Sequence, residues 1–288
     1  MPLGGAQQDL FFFVNQFGAS LMKGSGKDAR PNFDDPKVAQ AIQWYLDLAR
    51  VHKVMPALKF PYRPTDGFDD NSYELVQNGR AGMWFDMGRG MFSNGGPKGE
   101  IPGGQPPAKF EVGVAPLPIG GAGLGSGDLY MRGFHISAQT QQSQVCWEWL
   151  KFLSADVTNL QGSLPARTSL LQDDGFVKQA TPDLLEIAKV YSEALKQRPG
   201  QTPRGGDLNA FYSWDQYWFF KALSEELEGK TDLAKGLAEA QTMTTAYIEC
   251  LDKLPNKPAT CAKQVDPTYQ GYSTEDPPEG PGIGVPRG

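Results

Sequence analysis

Apolar residues recur every three or four positions along several stretches of the chain, a spacing typical of amphipathic helices. In the first stretch, residues 36–50, the apolar face contains Val38, Ile42 and Tyr45. Asp34 and Asp35 precede Pro36, which is the arrangement expected at a helix N-terminus. We therefore predict a helix here with one buried face.

Similar patterns predict three helices in the C-terminal half of the chain. One begins at Pro182, one runs from Ser213 to Gly229 with Gln216 as the partner of Ser213 in a capping box, and one begins at Thr231. In the last of these helices the residues spaced three or four apart form one stripe; they are Leu233, Leu237, Ala240, Thr244, Tyr247 and Leu251. This half of the chain is predicted to be largely helical.

Two helix and strand pairs are predicted in the first half. The sequence NSYELVQNG indicates a short helix ended by Gly79, followed by a strand through Met83, Trp84 and Phe85. Residues 130–137 indicate another strand. The helix predicted after them has an apolar face of Val145, Trp149, Phe152 and Leu153, which we expect to be buried. Alternation of helix and strand predicts an α/β fold.

Glycine and proline are concentrated in two segments. Residues 92–127 contain 17 of them in 36 positions, which predicts a long surface loop with little regular structure. Residues 263–288 are also rich in both and carry few apolar side chains that could offset the entropy of ordering. We predict a disordered tail over 263–288.

Composition and charge exclude several classes of function. The chain has 288 residues with a net charge of −6, and we find no cluster of Lys and Arg that would neutralise a row of phosphates, so no nucleic-acid partner is expected. No run approaches the 18 or so apolar residues of a membrane span. The 3 Cys and 2 His show no spacing typical of metal ligands. We expect neither a metal nor a cofactor.

The cysteines and the N-terminus bear on the cellular compartment. Cys250 and Cys261 flank a short loop and either form a disulfide in an oxidising compartment or are two unpaired thiols. Cys146 lies among apolar residues and is predicted to be a small buried side chain. The apolar patch at residues 10–14 has no preceding Lys or Arg, so no signal peptide is predicted and we expect the chain to begin inside a longer protein.

Several short motifs occur in an order that resembles a known family. They are FDDPKVAQAIQWYLDLA, NGRAGMWFD, GVAPLP, RGFHIS before CWEWLKFLS, LPARTS, and LAEAQ after Gly229. In this order they resemble the extracellular solute-binding proteins of family 1, the maltose-binding-protein-like sugar receptors of ABC transporters. The resemblance covers about residues 1–255 and matches the C-terminal two-thirds of such proteins.

The resemblance implies a fold and an organisation. It implies a two-lobed α/β fold, periplasmic-binding-protein-like II, with most of the N-terminal lobe missing from this chain. Residues 1–262 would be the C-terminal part of a solute-binding protein. Within it, residues 1–120 and 175–262 would form the second lobe, and about 128–170 would cross to the first lobe.

The resemblance also implies a location and partners. Such a protein is a monomeric receptor outside the cytoplasm, in the periplasm or on the outer face of the membrane, where the full-length form is lipid-anchored. It binds a small-molecule sugar and delivers it to the transmembrane subunits of an ABC permease.

Sugar binding requires flat aromatic rings for the C–H faces and polar groups for the hydroxyls. The resemblance places such a site in a cleft between the lobes, with Trp84 or Phe85 as a stacking ring and Asp86 and Arg89 as hydroxyl partners. The alternative is that Trp84 and Phe85 are core residues of a strand. The further candidates are Tyr130, Arg132 and Gly133 near the hinge, and Trp214 and Tyr217 near the start of a helix.

Three classes of function are consistent with these residues. The first is a sugar-binding component of an importer, which carries out no chemistry. The second is a secreted glycoside hydrolase, which needs two carboxyl groups flanking the scissile bond, and the sequence offers only Asp86. The third is a receptor that presents its ligand-bound form to a sensor protein. The resemblance favours the first.

Overall fold

The computed structural model describes residues 6–24, 28–66, 72–84, 113, 115, 134–155, 164–165, 167–180, 182–196, 211 and 214–277. These residues fall into two compact units. Unit 1 contains the described residues of Met1–Ser72 and Pro203–Gly288, and unit 2 those of Tyr73–Leu117 and Leu129–Thr202. These bounds differ from the predicted lobe bounds, because 73–117 and 175–202 fall in unit 2; the assignment to lobes stays a prediction.

Unit 1 begins with a helix, α1 (Ala6–Gln16), followed by two short antiparallel strands, β1 (Met22–Lys23) and β2 (Arg30–Pro31), which pair Met22 with Pro31. They are the only strands among the described residues. The patch at residues 10–14 lies within α1, where Leu10 and Val14 are buried.

Helix α2 (Pro36–Arg50) confirms the first prediction from the apolar period. Asp35 is its N-cap, and the side chain of Asp35 accepts a hydrogen bond from the amide of Lys37 at 2.9 Å. Val38, Ile42 and Tyr45 are fully buried, as the stripe predicts. The helix therefore begins and faces inward as its sequence requires.

Three further helices complete unit 1: α7 (Tyr217–Leu227), α8 (Leu233–Lys253) and α9 (Pro258–Val265). The turn between α7 and α8 uses Gly229 at φ +70°, and the side chain of Asp232 caps α8. The predicted stripe of α8 is buried along its whole length. A Cβ added to Gly236 would lie 3.2 Å from the Cβ of Ala222, so α7 and α8 approach closely there.

Phenylalanine rings form the centre of the core of unit 1. The ring of Phe219 on α7 lies 4.7 Å from that of Phe33 and 5.4 Å from that of Phe211, and Phe11 of α1 lies 4.8 Å from Phe211. Gln241 of α8 links the same region through two hydrogen bonds, accepting from the amide of Phe33 at 2.8 Å and donating to the carbonyl of Pro31 at 3.0 Å. Segments about 200 residues apart in sequence are thus joined in one core.

Unit 2 contains α3 (Ser72–Gln77), α4 (Ser143–Ala155), a 3₁₀ helix (Thr168–Gln172), α5 (Asp174–Gln179) and α6 (Pro182–Lys196). The predicted end of α3 at Gly79 is confirmed, since Gly79 has φ +67° and its amide donates to the carbonyl of Val76. The predicted strands are not found at 82–84 or 134–137, and the rest of each lies outside the described residues.

The apolar face of α4 was predicted to be buried, and this prediction is wrong. Val145, Trp149 and Phe152 are each more than half exposed, Leu153 is half-buried, and Cys146 is a partly exposed free thiol. The rings of Trp149 and Phe152 stack on each other at 5.5 Å. The period shows which face is apolar, but burial also requires an element that covers it, and none of the described elements does.

The segment 266–277, which we call the strap, lies within the stretch predicted to be disordered, and the structure shows instead that it is packed on unit 1. The carboxylate of Asp266 accepts from the indole Nε1 of Trp218 at 3.1 Å, and Tyr269 is buried between the rings of Tyr217 and Trp218. Asp276 accepts from the amide of Ala259 at 2.9 Å. The strap has neither helix nor strand, as its composition indicates, but a few anchoring side chains order it.

Cys250 of α8 and Cys261 of α9 form a disulfide that closes a sequence separation of 11 residues. Cys261 is completely buried. The covalent bond holds α9 against the end of α8, and α9 in turn carries the contact with Asp276.

We predict that replacing both bridged cysteines, C250S/C261S, lowers the free energy of unfolding by about 3 kcal/mol, because a closed loop of this length restricts the unfolded chain. Urea unfolding with and without dithiothreitol measures the effect. The matched control is C146S, which removes a free thiol. Reductant should destabilise the original chain and C146S but not C250S/C261S; equal stability of all three proteins would contradict the prediction.

Candidate ligand-binding site

The residues predicted to bind ligand are distributed over both units and beyond the described residues. Trp84 lies in unit 2 and is partly buried, whereas Trp214 and Tyr217 lie in unit 1. The remaining candidates lie outside the described residues; they are Phe85, Asp86, Arg89, Tyr130, Arg132 and Gly133. The described geometry therefore concerns Trp214 and its surroundings.

Trp214 lies on the wall of a cavity of about 500 Å³ in unit 1. The wall comes from the segment before α7, from α8, from the connection between α8 and α9, and from the strap. The lining residues are Trp214, Asp215, Gln216, Tyr247, Leu251, Pro255, Pro258, Tyr272 and Ser273. A volume of this size matches the range of small-molecule sites.

The turn that carries Trp214 is held by Gln216. The side-chain amide of Gln216 donates to the carbonyls of Phe211 and Trp214, each at 3.2 Å. Helix α7 begins at Tyr217, with Gln216 as its N-cap, and the carboxylate of Asp215 accepts from the amide of Tyr217 at 2.9 Å. The helix therefore starts later than predicted; the predicted first residue, Ser213, lies outside the described residues. Trp214 therefore precedes the helix, half-buried.

Asp215 connects this turn to the strap. Its Oδ2 accepts from the hydroxyl of Ser273 at 2.8 Å and from the hydroxyl of Tyr269. The Tyr269 hydroxyl in turn accepts from the amide of Ser273 at 2.9 Å. Burial and the neighbouring Asp215 carboxylate raise the pKa of Tyr269 well above its usual value, so Tyr269 stays a donor at neutral pH.

This network fixes two residues of the strap on the cavity wall. Tyr272 is 58% exposed, and its hydroxyl donates to the carbonyl of Arg63 at 3.4 Å. The aromatic rings of Trp214 and Tyr272 thus belong to one cavity that also carries hydroxyl and amide groups. Such a wall can stack on apolar faces and bind hydroxyls of a polar ligand.

Tyr217, predicted to bind ligand, is almost completely buried, and its ring lies 5.5 Å from that of Tyr62 and 4.6 Å from that of Tyr269. Burial raises the pKa of Tyr217 above its usual value. Its role in ligand binding stays a prediction, and its described contacts are those of a core residue that supports the strap.

Tyr272 and Ser273 were not among the residues predicted to line the site. The composition of the strap hid them, because proline and glycine indicate irregular structure without saying whether it is packed. The available signal was the pair Tyr269 and Tyr272, two aromatic residues in a segment otherwise poor in apolar side chains. Buried aromatic rings are a large source of packing energy.

Two further features concern the described residues: metal-ligating clusters and membrane-spanning helices. Among them, no group of three or more His, Cys, Asp and Glu side chains is placed to hold a metal ion. None of the described helices combines the length and apolar content needed to cross a membrane.

Comparison with known proteins gives the family. A model of the bacterial extracellular solute-binding protein family matches residues 1–158, which is more than half of the chain. The chain belongs to this family, as its motifs predict, and the two-lobed α/β class of periplasmic-binding-protein-like folds follows from that membership. Membership in an extracellular family places the protein outside the cytoplasm.

One similar solved structure is maltose-bound MalE3 of T. maritima, with a TM-score of 0.48 and 19% sequence identity. The match covers 84% of this chain and 56% of that chain. The chain thus spans little more than half the length of that relative.

We predict that the strap loosens in acid because of Asp266. Burial alone would raise the pKa of Asp266, but hydrogen bonds from Thr268 and Trp218 lower it below its usual value. Because the pKa of Asp266 is lower in the folded state than in the unfolded chain, the ionised carboxylate stabilises the fold above about pH 4. This stabilisation is lost as the pH falls through the pKa of the folded state. The free energy of unfolding, measured at several values between pH 6 and pH 3, tests whether this stabilisation is lost.

The variant D266N should be less stable than the original chain by about 1 kcal/mol at pH 6 and should depend less on pH. The control variant is D34N, because the carboxylate of Asp34 is exposed and has no described hydrogen bond. A pH dependence that is the same in D266N as in D34N would show that Asp266 does not anchor the strap.

Proposed function

We propose that this protein is the substrate-binding component of an ABC importer and that its ligand is a carbohydrate bound against Trp214. The observation that carries the proposal is the cavity of about 500 Å³ in which the rings of Trp214 and Tyr272 accompany hydroxyl and amide groups. Membership in the solute-binding family supports the general role.

Carbohydrates fit such a wall for physical reasons. A sugar ring exposes C–H groups on its faces and hydroxyls around its edge, so it gains from an aromatic face and from hydrogen bonds at the same time. Trp214 offers a ring that is half-buried and therefore already ordered, which reduces the entropy lost on binding. Gln216 and Ser273 provide the polar groups beside it.

The candidates identified from the sequence are also proposed to contact ligand. Trp84 is proposed as a second stacking residue, and Arg132 as a donor to a charged or hydroxylated part of the ligand. The other proposed contributors are Phe85, Asp86, Arg89, Tyr130, Gly133 and Tyr217. These assignments rest on the resemblance of their motifs to the family.

Binding without catalysis is the role we infer. In the described cavity the one carboxylate is that of Asp215, and both of its oxygens already accept hydrogen bonds from the protein. A glycoside hydrolase requires two carboxyl groups available to the substrate. Asp215 therefore serves as a positioning residue for the strap.

The remaining parts of the proposal follow from the proposed role. The receptor is monomeric, it is held outside the cytoplasm by a lipid anchor in the full-length protein, and it delivers its sugar to the transmembrane subunits of a permease.

The test is a thermal unfolding series with millimolar monosaccharides and oligosaccharides, because a ligand that binds only the folded state raises the midpoint. We expect at least one saccharide to raise it. In W214A the affinity for that saccharide, measured by calorimetry, should fall about tenfold through loss of the stacking ring.

The control variant is W147A, which removes an exposed tryptophan of unit 2 that does not line the cavity. It should bind the saccharide like the original chain. Failure of every saccharide to shift the midpoint, or equal affinities of W214A and W147A, would refute the proposal.

A further inference from the structure

A second cavity, of about 420 Å³, lies on unit 1 and shares Ser273 with the first. Its walls come from the loop at residues 63–65, from α9 and from the strap. In contrast to the first cavity, whose one charged side chain is Asp215, this one is lined by two cationic side chains, Arg63 and Lys263. The chain as a whole carries a net charge of −6, so a cavity lined by two cationic side chains differs from the protein as a whole.

We propose that this second cavity binds a small oxyanion of the phosphate type between Arg63 and Lys263. The bound group is either free phosphate or the phosphate ester of a larger molecule. Apart from the shared Ser273, its lining differs from that of the proposed sugar-binding wall, and the proposal does not depend on sugar binding.

The guanidinium of Arg63 is positioned by Asp66 and Tyr62, and only its Nε is used in a described hydrogen bond. Its Nε donates to Oδ1 of Asp66 at 2.8 Å, and its Cζ lies 4.9 Å from the centre of the Tyr62 ring. Oδ2 of the same carboxylate accepts from the amides of Tyr62 at 3.1 Å and Arg63 at 2.9 Å. Among the described residues, the two Nη groups of Arg63 have no hydrogen bond, so they remain available to a ligand.

Lys263 provides the second positive charge from α9. Its side chain is exposed and forms no ion pair with any described residue. Helix α9 is fixed by the disulfide at Cys261, so the backbone that carries Lys263 is held rigidly at the cavity. A guanidinium and an ammonium that approach an oxyanion from two elements form charge-assisted hydrogen bonds, which are about twice as strong as neutral ones.

Hydroxyl groups complete the donor set. Thr65 lies on the arginine side of the cavity and Thr274 on the strap side, whereas the hydroxyl of Ser273 already donates to Asp215. Hydroxyls donate readily to phosphate oxygens. The strap also turns tightly here, since a Cβ added at Gly271 would lie 2.6 Å from Cζ of Tyr269, and this close turn brings its backbone to the cavity wall.

The carboxylate that competes with a bound anion is that of Asp66. Its charge offsets one of the two cations, which leaves the cavity with one net positive charge. The cationic and anionic side chains therefore have opposite predicted effects on anion binding. Removal of the Lys263 charge should weaken anion binding, and removal of the Asp66 charge should strengthen it.

The test measures phosphate binding to the whole chain by calorimetry at constant ionic strength, with sodium chloride as the balancing salt. We expect the affinity for inorganic phosphate to fall about tenfold in K263Q and to rise severalfold in D66N. K235Q is the matched control, because it removes the same charge from an exposed position on α8 and should leave the affinity unchanged.

A second arm replaces inorganic phosphate with glucose 6-phosphate and distinguishes the two sources of the oxyanion. Tighter binding of the ester, with the same dependence on Lys263, assigns the cavity to a phosphorylated ligand; tighter binding of inorganic phosphate assigns it to the free ion. Equal affinities of K263Q and K235Q for both compounds, or no binding beyond that of chloride, would overturn the proposal. These results do not depend on whether W214A loses saccharide binding.

Discussion

The hydrogen bonds of the Asp215 carboxylate hold together the wall of the first cavity of unit 1. The carboxylate accepts from the backbone at the start of α7 and from the hydroxyls of Tyr269 and Ser273. One side chain thus joins the start of α7, next to Trp214, to the strap. A carboxylate that accepts several hydrogen bonds in a partly buried position is well suited to this role, because charge-assisted bonds are short and directional.

The framework beneath this carboxylate is helical and covalently reinforced. Helices α7 and α8 pack closely where Gly236 meets Ala222, and the disulfide joins α8 to α9. Asp266 accepts from Trp218 of α7 and Asp276 accepts from the first turn of α9, so one end of the strap is fastened to α7 and the other to α9. The cavity wall is therefore irregular in secondary structure but rigidly supported.

Local signals predicted much of the helical framework and little of the site. The start of α2 at Pro36 and the stripe of α8 follow from capping chemistry and periodicity, which are properties of neighbouring residues. The start of α7 was predicted four residues too early; the turn before Tyr217 contains Asp215, which is bonded to Tyr269 and Ser273, and contacts with residues more than 50 positions away do not appear in a local pattern. The strap was missed for the same reason. The exposed face of α4 was missed because periodicity alone does not show whether an apolar stripe is covered.

The position of the strap at the C-terminal side of the last helix has a consequence for how the protein tolerates trimming. Proteolysis or truncation after Val265 would leave every described helix intact, with the disulfide in place. It would nevertheless remove Tyr272 from the first cavity and Ser273 from both, and it would take from Asp215 and from the indole of Trp218 their hydrogen bonds to the strap. A product judged intact by its helical content would then have lost the surfaces proposed to contact ligand.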